Sequence, residues 1–241
     1  MWGLTPSSNR AREYAVEVEM YYHIKGLVLK SQISAEADKI ITVYTHEWGK
    51  ISAVVPGAKK IKAKLAWAAE PIRENEFLVY AKNGYLRPKV TGAKAINSFT
   101  KLFCDWRRFS IAQYCAEIMD VLTPFNSENA RKYELLSRTW NLLETSKYPW
   151  RIFSAFVLRF LNLSGYSFTE FLKRNKHLVN NPERELIGKL SNMPGEDVDK
   201  LFPLESRIET NIKQAIDSYL SMYLPRKLCS KEFCEKIIAT E

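Results

Sequence analysis

An α+β fold is predicted for this chain, a five-stranded barrel followed by an all-helical domain, and three observations carry the prediction. Five short runs rich in Val, Ile and Tyr lie between Tyr21 and Lys94, bounded by Gly, Pro, Asn or charged residues. From Asn97 onward the apolar period becomes helical. No Pro- or Gly-rich linker separates the two halves, so they are expected to pack against each other.

The runs are HIKGLVLKS, KIITVYTH, GKISAVVP, NEFLVYAK and LRPKVTG. GKISAVV alternates, placing Ile51, Ala53 and Val55 on one side and Lys50 and Ser52 on the other. Asn83-Gly84 is a type I′ hairpin signal. So many short strands in so few residues suit a small barrel of the oligonucleotide-binding type, an OB-fold. A sandwich would usually need more strands.

Residues 1–19 are polar and without a clear period, which predicts a loose extension, or Met20 as the natural start. The expected division is therefore an extension over 1–19, a barrel over 20–96 and a helical domain over 97–241. Trp150, Phe153, Phe156, Val157, Phe160 and Leu161 form one broad helical stripe. Tyr133, Leu136, Trp140 and Leu143 form another, as do Ile208, Ile212, Ile216, Tyr219 and Tyr223, closed by Pro225.

The charge is unevenly spread. Eleven basic residues between Lys50 and Lys101 face three glutamates, Glu70, Glu74 and Glu76, so this stretch holds +8 of the chain's +9. Such concentration is not needed for folding and costs self-repulsion; its usual purpose is to attract a polyanion. The loop PGAKKIKAKLAW carries Lys59, Lys60, Lys62 and Lys64, followed by Trp67. With Lys50, Arg87 and Lys89 these are the candidate phosphate contacts. Trp48, Trp67 and Tyr85 are candidate stacking platforms for unpaired bases. AKLAWAA also reads as a short helical turn, in which Trp67 would be core. The loop is no phosphate-binding Walker motif, because Gly57 lacks both the partner glycine and the Lys-Ser/Thr pair.

Catalytic constellations are missing from the sequence. His23, His46 and His177 have no metal-ligand spacing, and His46-Glu47 reads as a polar turn before Trp48-Gly49. No paired acidic motif suggests a two-metal nuclease, and no Gly-x-Ser-x-Gly elbow occurs. Cys104, Cys115, Cys229 and Cys234 lack zinc-knuckle spacing and are expected to be free thiols in a reducing compartment, with Cys115 on a core helix face. With neither a membrane span nor a signal peptide in the sequence, a cytoplasmic binding protein without a cofactor is expected.

Specific residues also resemble a known family. Val28-Leu29-Lys30, Glu36-Ala37-Asp38, Tyr44-Thr45, Gly49-Lys50 and Gly57-Ala58-Lys59-Lys60 follow the order and spacing of the opening of RecO, the bacterial recombination mediator. Val55-Pro56 stands where the family usually has Ala-Lys, and Ala69-Glu70-Pro71 where it has Leu-Gln-Pro. Phe156-Val157-Leu158-Arg159 with Gly165-Tyr166 resembles the family's Leu-Gly-Tyr helix end. Leu224-Pro225-Arg226-Lys227-Leu228, with Ser230 and Phe233, resembles its C-terminal Arg-Lys-Leu-x-Ser stretch.

The resemblance implies an OB-fold barrel, binding of single- and double-stranded DNA, and annealing of complementary strands. It also implies work with RecR to load RecA onto DNA covered by single-stranded-DNA-binding protein, and a nucleoid-associated location. The acidic, aromatic-ended tail of the coating protein would need an apolar groove rimmed by cations, for which Arg107, Arg108, Arg151, Phe156 and Arg159 are candidates. Many members carry two Cys-x-x-Cys pairs after the Gly-Tyr. Here SFTEFLKRNKHLVNNPERE follows, so the zinc module is expected to be absent and no metal is predicted. An RNA-binding barrel protein is the alternative, and a nucleic-acid-processing enzyme a weaker one.

Overall fold

Residues 19–34, 37–60, 63–82, 87–175, 177–201 and 206–231 are described by a computed structural model. The expectations for residues 1–18, Lys62, the Asn83-Gly84 turn, Tyr85, Phe233 and Cys234 fall outside them. Among the described residues five strands form a closed barrel: β1 (Glu19–Ile33), β2 (Lys39–Thr45), β3 (Gly49–Val55), β4 (Glu74–Lys82) and β5 (Lys89–Asn97), in the order β1-β2-β3-β5-β4. All neighbours are antiparallel except β3 and β5, which pair in parallel at Val54 and Lys89. This is the predicted OB-fold.

Strand β1 closes the barrel because it is long enough to pair twice, with β4 through residues 19–27 and with β2 through residues 26–33. Gly26 belongs to both ladders. A Cβ there would lie 2.3 Å from Val43 Cγ1, so only glycine lets the strands come this close. A bulge between Val28 and Lys30 then bends the strand. Ile24, Val28, Ile41, Val43, Ile51, Ala53, Val55, Phe77, Val79 and Val90 fill the interior, as the period-two pattern requires. Ala68 and Ala69, on a 3₁₀ turn over Trp67–Ala69, join that core. β5 begins later than its apolar run suggested. Pro88 has no N–H to give to a ladder, but its carbonyl accepts from Val54 N–H at 2.9 Å.

Among the described residues six α-helices follow: α1 (Trp106–Leu122), α2 (Ala130–Leu143), α3 (Pro149–Leu163), α4 (Phe168–Arg174), α5 (Asn181–Asn192) and α6 (Ser206–Ser221). Side chains cap the starts of α1, α2, α4 and α5, and a proline starts α3. Asp105 accepts from the N–H groups of Arg107 and Arg108, Pro149 opens α3, and Asn180 with Glu183 makes a capping box on α5. The three predicted stripes lie on α2, α3 and α6, except that α6 ends at Ser221 and Tyr223 follows it in a turn, and all three meet in one core. Helix α3 is buried nearly all round, with Phe153 stacked on Tyr114 at 4.6 Å and Phe156 on Phe160 at 5.6 Å.

The two halves share one apolar cluster. Leu27, Leu29 and Tyr44, on the outer side of β1 and β2, join the helical core together with Ile72. Burial there pushes the Tyr44 phenol up to about 12. Polar bridges add direction to this contact. Glu74 accepts from the hydroxyls of Tyr133 at 2.7 Å and Ser137 at 2.9 Å, and Asn97 Nδ2 donates to Asn141 Oδ1 at 2.8 Å. Burial, reinforced by the Glu74 carboxylate, raises the Tyr133 pKa far above its ordinary value. At the joint Phe99 has a left-handed φ of 46° and is held by edge-on packing against Trp140 at 5.3 Å.

Candidate nucleic-acid interface

The lysine loop leaves β3 at Val55 and is pinned at its root. Gly57, at φ +65°, turns the chain, and its N–H donates to Asp38 Oδ1 at 2.8 Å. Lys59 N–H donates to Ala37 O at 3.0 Å, tying the loop to the β1–β2 connection. Lys59, Lys60 and Lys64 are exposed. Arg87 and Lys89 are exposed at the start of β5, which lies beside Val54 and so next to the root of the loop. Topology thus brings two separated basic stretches to one side of the barrel. Lys94 and Lys101 extend the exposed charge along and beyond β5.

Lys50 does not belong to this surface. It is only 5% exposed; its ammonium donates to the backbone carbonyl of Asp120, lies 3.3 Å from Asp120 Oδ1 and sits 4.4 Å from the Phe125 ring centroid. It points outward from the barrel, as the alternation predicted, but residues 124–129 cover that face. Asn126 N–H donates to Lys50 O at 2.9 Å. Lys50 is therefore a latch between barrel and helices.

The aromatic candidates divide. Trp67 is 36% exposed on the turn that ends the lysine loop, its neighbours Ala68 and Ala69 buried beneath it. Trp48 packs edge-on against Tyr22 at 5.1 Å and against the barrel core, and its backbone N–H donates to Thr45 Oγ1 at 2.9 Å. It is half-buried against the barrel core. His46 and Glu47 lie in the β2–β3 turn as expected, with the imidazole edge-on to Tyr133.

Most of the candidates for a partner tail are structural. Phe156 is 1% exposed in the helical core. Arg151, 5% exposed, pairs with Glu209 at 2.9 Å, donates to Leu201 O at 3.0 Å and stacks 3.8 Å from the Tyr148 ring centroid. Arg108 is spent on Asp105 and on the carbonyls of Leu143 and Glu144 that end α2. Arg159 donates to the carbonyls of Leu190, Ser191 and Met193 at the end of α5; burial lowers its pKa, with Glu196 opposing. The stripe that made these residues conspicuous is a core stripe.

Arg159 nonetheless lines a groove of about 640 Å³ between α2, α3 and the end of α5. Arg131 and Arg138 stand on its α2 side, Leu135, Leu142 and Leu163 give it apolar surface, and Glu134 and Glu196 also line it. Arg131 and Arg138 were missed because they lie outside the basic stretch; their i,i+7 spacing on one face of α2 was the available signal.

No group of three His, Cys, Asp or Glu side chains among the described residues could hold a metal ion. After Gly165-Tyr166 the chain runs into α4 with Ser167 as its cap, so this segment offers no thiolate and does not fit a zinc site. Cys104 and Cys229 are exposed and Cys115 is buried, all three as free thiols. No helix among the described residues is long and apolar enough to cross a membrane.

A closed OB-fold barrel with a basic flank, latched to a helical domain, defines the class. Residues 20–99 match the family model for the recombination protein O N terminal domain, and residues 104–169 match that for its C terminal domain. The chain belongs to the RecO family. It is 36% identical over 146 residues to the DNA repair protein RecO of Heliobacterium modesticaldum, covering 60% of this chain and 52% of that protein. It is 32% identical over 128 residues to the protein of the same name from Gloeothece citriformis, covering 53% of this chain and 44% of that protein. For that of Clostridium perfringens the identity is 29% over 142 residues, covering 58% and 57%. The chain thus spans about half the length of the curated relatives it matches.

Proposed function

We propose that the chain acts in DNA repair and recombination by binding single- and double-stranded DNA through its backbone and annealing complementary strands. The observation that supports this best is the barrel's charge. Among the described residues six lysines and arginines from Lys59 to Lys94 are exposed, on a domain that matches the RecO family, and exposed Lys101 follows it. Annealing needs no covalent step, and no catalytic residue is proposed. Two like-charged strands must meet, and a basic surface lowers their repulsion. Base edges must stay free to pair, so lysines that hold phosphates suit the task better than base-reading side chains. Lys59, Lys60, Lys62, Lys64, Arg87 and Lys89 are the proposed phosphate contacts, with Trp67 and Tyr85 as the proposed stacking residues. Neutralising about six phosphates gives a log–log salt slope of about −4 to −5.

The proposal extends to partners. With RecR the chain would help load RecA onto DNA coated by single-stranded-DNA-binding protein. The groove of Arg131, Arg138 and Arg159 is the proposed seat for that protein's acidic tail, with arginines for its carboxylates and leucines for its aromatic end. The test is strand annealing with and without the cognate coating protein, with RNA strands at equal salt as the control. Acceleration of DNA annealing in both conditions supports the reading. Preference for RNA, or inhibition by the coating protein, refutes it.

A further inference from the structure

The joint between barrel and helices carries aromatic surface that neither the basic loop nor the groove accounts for. Phe103 is 47% exposed and Trp106 48% exposed, three residues apart where a 3₁₀ turn (Thr100–Cys104) leads into α1. Phe103 leans on Phe109 at 5.2 Å, which fixes its ring without covering it. Large rings this exposed at an ordered junction lose apolar burial and need a reason.

Cations flank them. The Arg73 guanidinium lies 5.8 Å from the Phe103 ring centroid, and its buried Nε has no hydrogen-bond partner. Arg107 lies 5.2 Å from the Trp106 ring centroid, and Lys101 is exposed on the same turn. Two carboxylates reach this turn. Asp105 caps α1 and pairs with Arg108, and Glu144 accepts from Lys101 N–H at 3.0 Å. Arg73, Lys101, Arg107 and Arg108 outnumber these two carboxylates, so the ledge is net positive, with two π faces among its cations.

We propose that Phe103 and Trp106 form a stacking ledge for unpaired bases of a single strand, with Arg73, Lys101 and Arg107 taking the adjoining phosphates. The inference rests on the nucleic-acid reading above and gives it a site away from the lysine loop. Duplex bases are stacked on each other and cannot use such a ledge, so it favours single strands. A π face accepts any base, which leaves pairing edges free.

The test compares an oligothymidylate of about 30 nucleotides with an abasic deoxyribose-phosphate oligomer of equal length, long enough to span a typical site. Phe103→Leu/Trp106→Leu keeps apolar bulk and removes both rings. We expect it to lose about 25-fold or more in affinity for oligothymidylate, about fivefold or more per ring, and to bind the abasic oligomer as the wild type does. Trp106→Phe should stay close to wild type. In a Cys229→Ser/Cys234→Ser background, oligothymidylate should slow alkylation of the exposed Cys104 while the abasic oligomer does not; this readout needs no ring variant to fold. Equal affinity of the Leu variant for oligothymidylate, or an equal loss on both oligomers, would overturn the ledge. Protection of Cys104 by an acidic aromatic peptide but not by oligothymidylate would overturn it in favour of a protein partner. Wild-type protein that binds neither oligomer would overturn the nucleic-acid reading itself.

Discussion

Lys50 and the loop lysines make opposite predictions although they belong to one basic stretch. Lys50→Ala removes a buried ammonium that donates to the Asp120 carbonyl, pairs with its carboxylate and lies over Phe125. Breaking a buried pair typically costs about 3–5 kcal/mol. The Asp120 side chain is 21% exposed and regains some water, so about 2–3 kcal/mol is expected here. For a chain of this length that is a drop of roughly 4–12 °C in melting temperature, at about 2–4 °C per kcal/mol. The salt dependence of DNA binding should not change. Lys59→Ala/Lys60→Ala/Lys64→Ala should do the reverse. Exposed charges contribute about 0–1 kcal/mol each, so melting should barely move. The salt slope should become shallower by about 2 on single strands, from roughly 0.7 per phosphate contact. Scanning calorimetry and fluorescence titration at several salt concentrations read both quantities. A Lys50→Ala protein of unchanged stability with a shallower slope would place Lys50 on the DNA and refute the latch. An unchanged slope in the triple variant would make the loop a solvated face.

Tyr133→Phe should destabilise by about 1–3 kcal/mol in urea unfolding, because it leaves one oxygen of the buried Glu74 carboxylate without its donor. Gly49→Ala should cost more than about 1 kcal/mol, since the backbone has φ +67° and the new Cβ would lie 2.0 Å from the Ser127 carbonyl oxygen; a melting curve like the wild type's would refute the close approach. Glu117 anchors residues 226–230 to α1. Burial works against its charge, but hydrogen bonds from the Ser230 hydroxyl, the Ser230 and Cys229 N–H groups and Arg226 outweigh it and hold the carboxyl below its ordinary range. Its contribution should be complete above pH about 4.5 and lost as pH falls through the lower folded value. Glu117→Gln should flatten that acid limb in a pH-melt series. Elemental analysis should find no stoichiometric zinc, and a chelator should leave the melting temperature unchanged.

The barrel was legible because its interior obeys period two: the alternation in GKISAVV places Ile51, Ala53 and Val55 inside, and they are buried. The helices were legible because their stripes are broad. The same breadth hid the roles of Arg151, Phe156 and Arg159. A residue beside a core stripe is buried with it, and an arginine there finds carbonyls at helix ends before it finds a partner. Lys50 misled for a related reason. Alternation says which way a side chain points, and only tertiary structure says what covers that face. Gly49 was the local hint, because a left-handed glycine beside a strand marks a tight turn where another segment can approach. The exposed rings of Phe103 and Trp106 left no mark in the pattern, since an apolar residue at a strand-to-helix junction reads as core.

The joint deserves its polar contacts for a geometric reason. Leu27, Leu29 and Tyr44 would hold the helices against the barrel in many orientations, because apolar burial is non-directional. Glu74 between Tyr133 and Ser137, Lys50 on Asp120 and Asn97 on Asn141 each satisfy their hydrogen bonds in one register only. Such pairs add little net stability but make every slipped register expensive, because slipping would strand a buried carboxylate or ammonium. The register matters for the proposed activity. The lysine loop belongs to the barrel, whereas Trp106 belongs to α1, so a strand that touches both is held at a spacing set by the joint. Loosening one pin should therefore weaken binding of long single strands more than binding of strands too short to reach from loop to ledge.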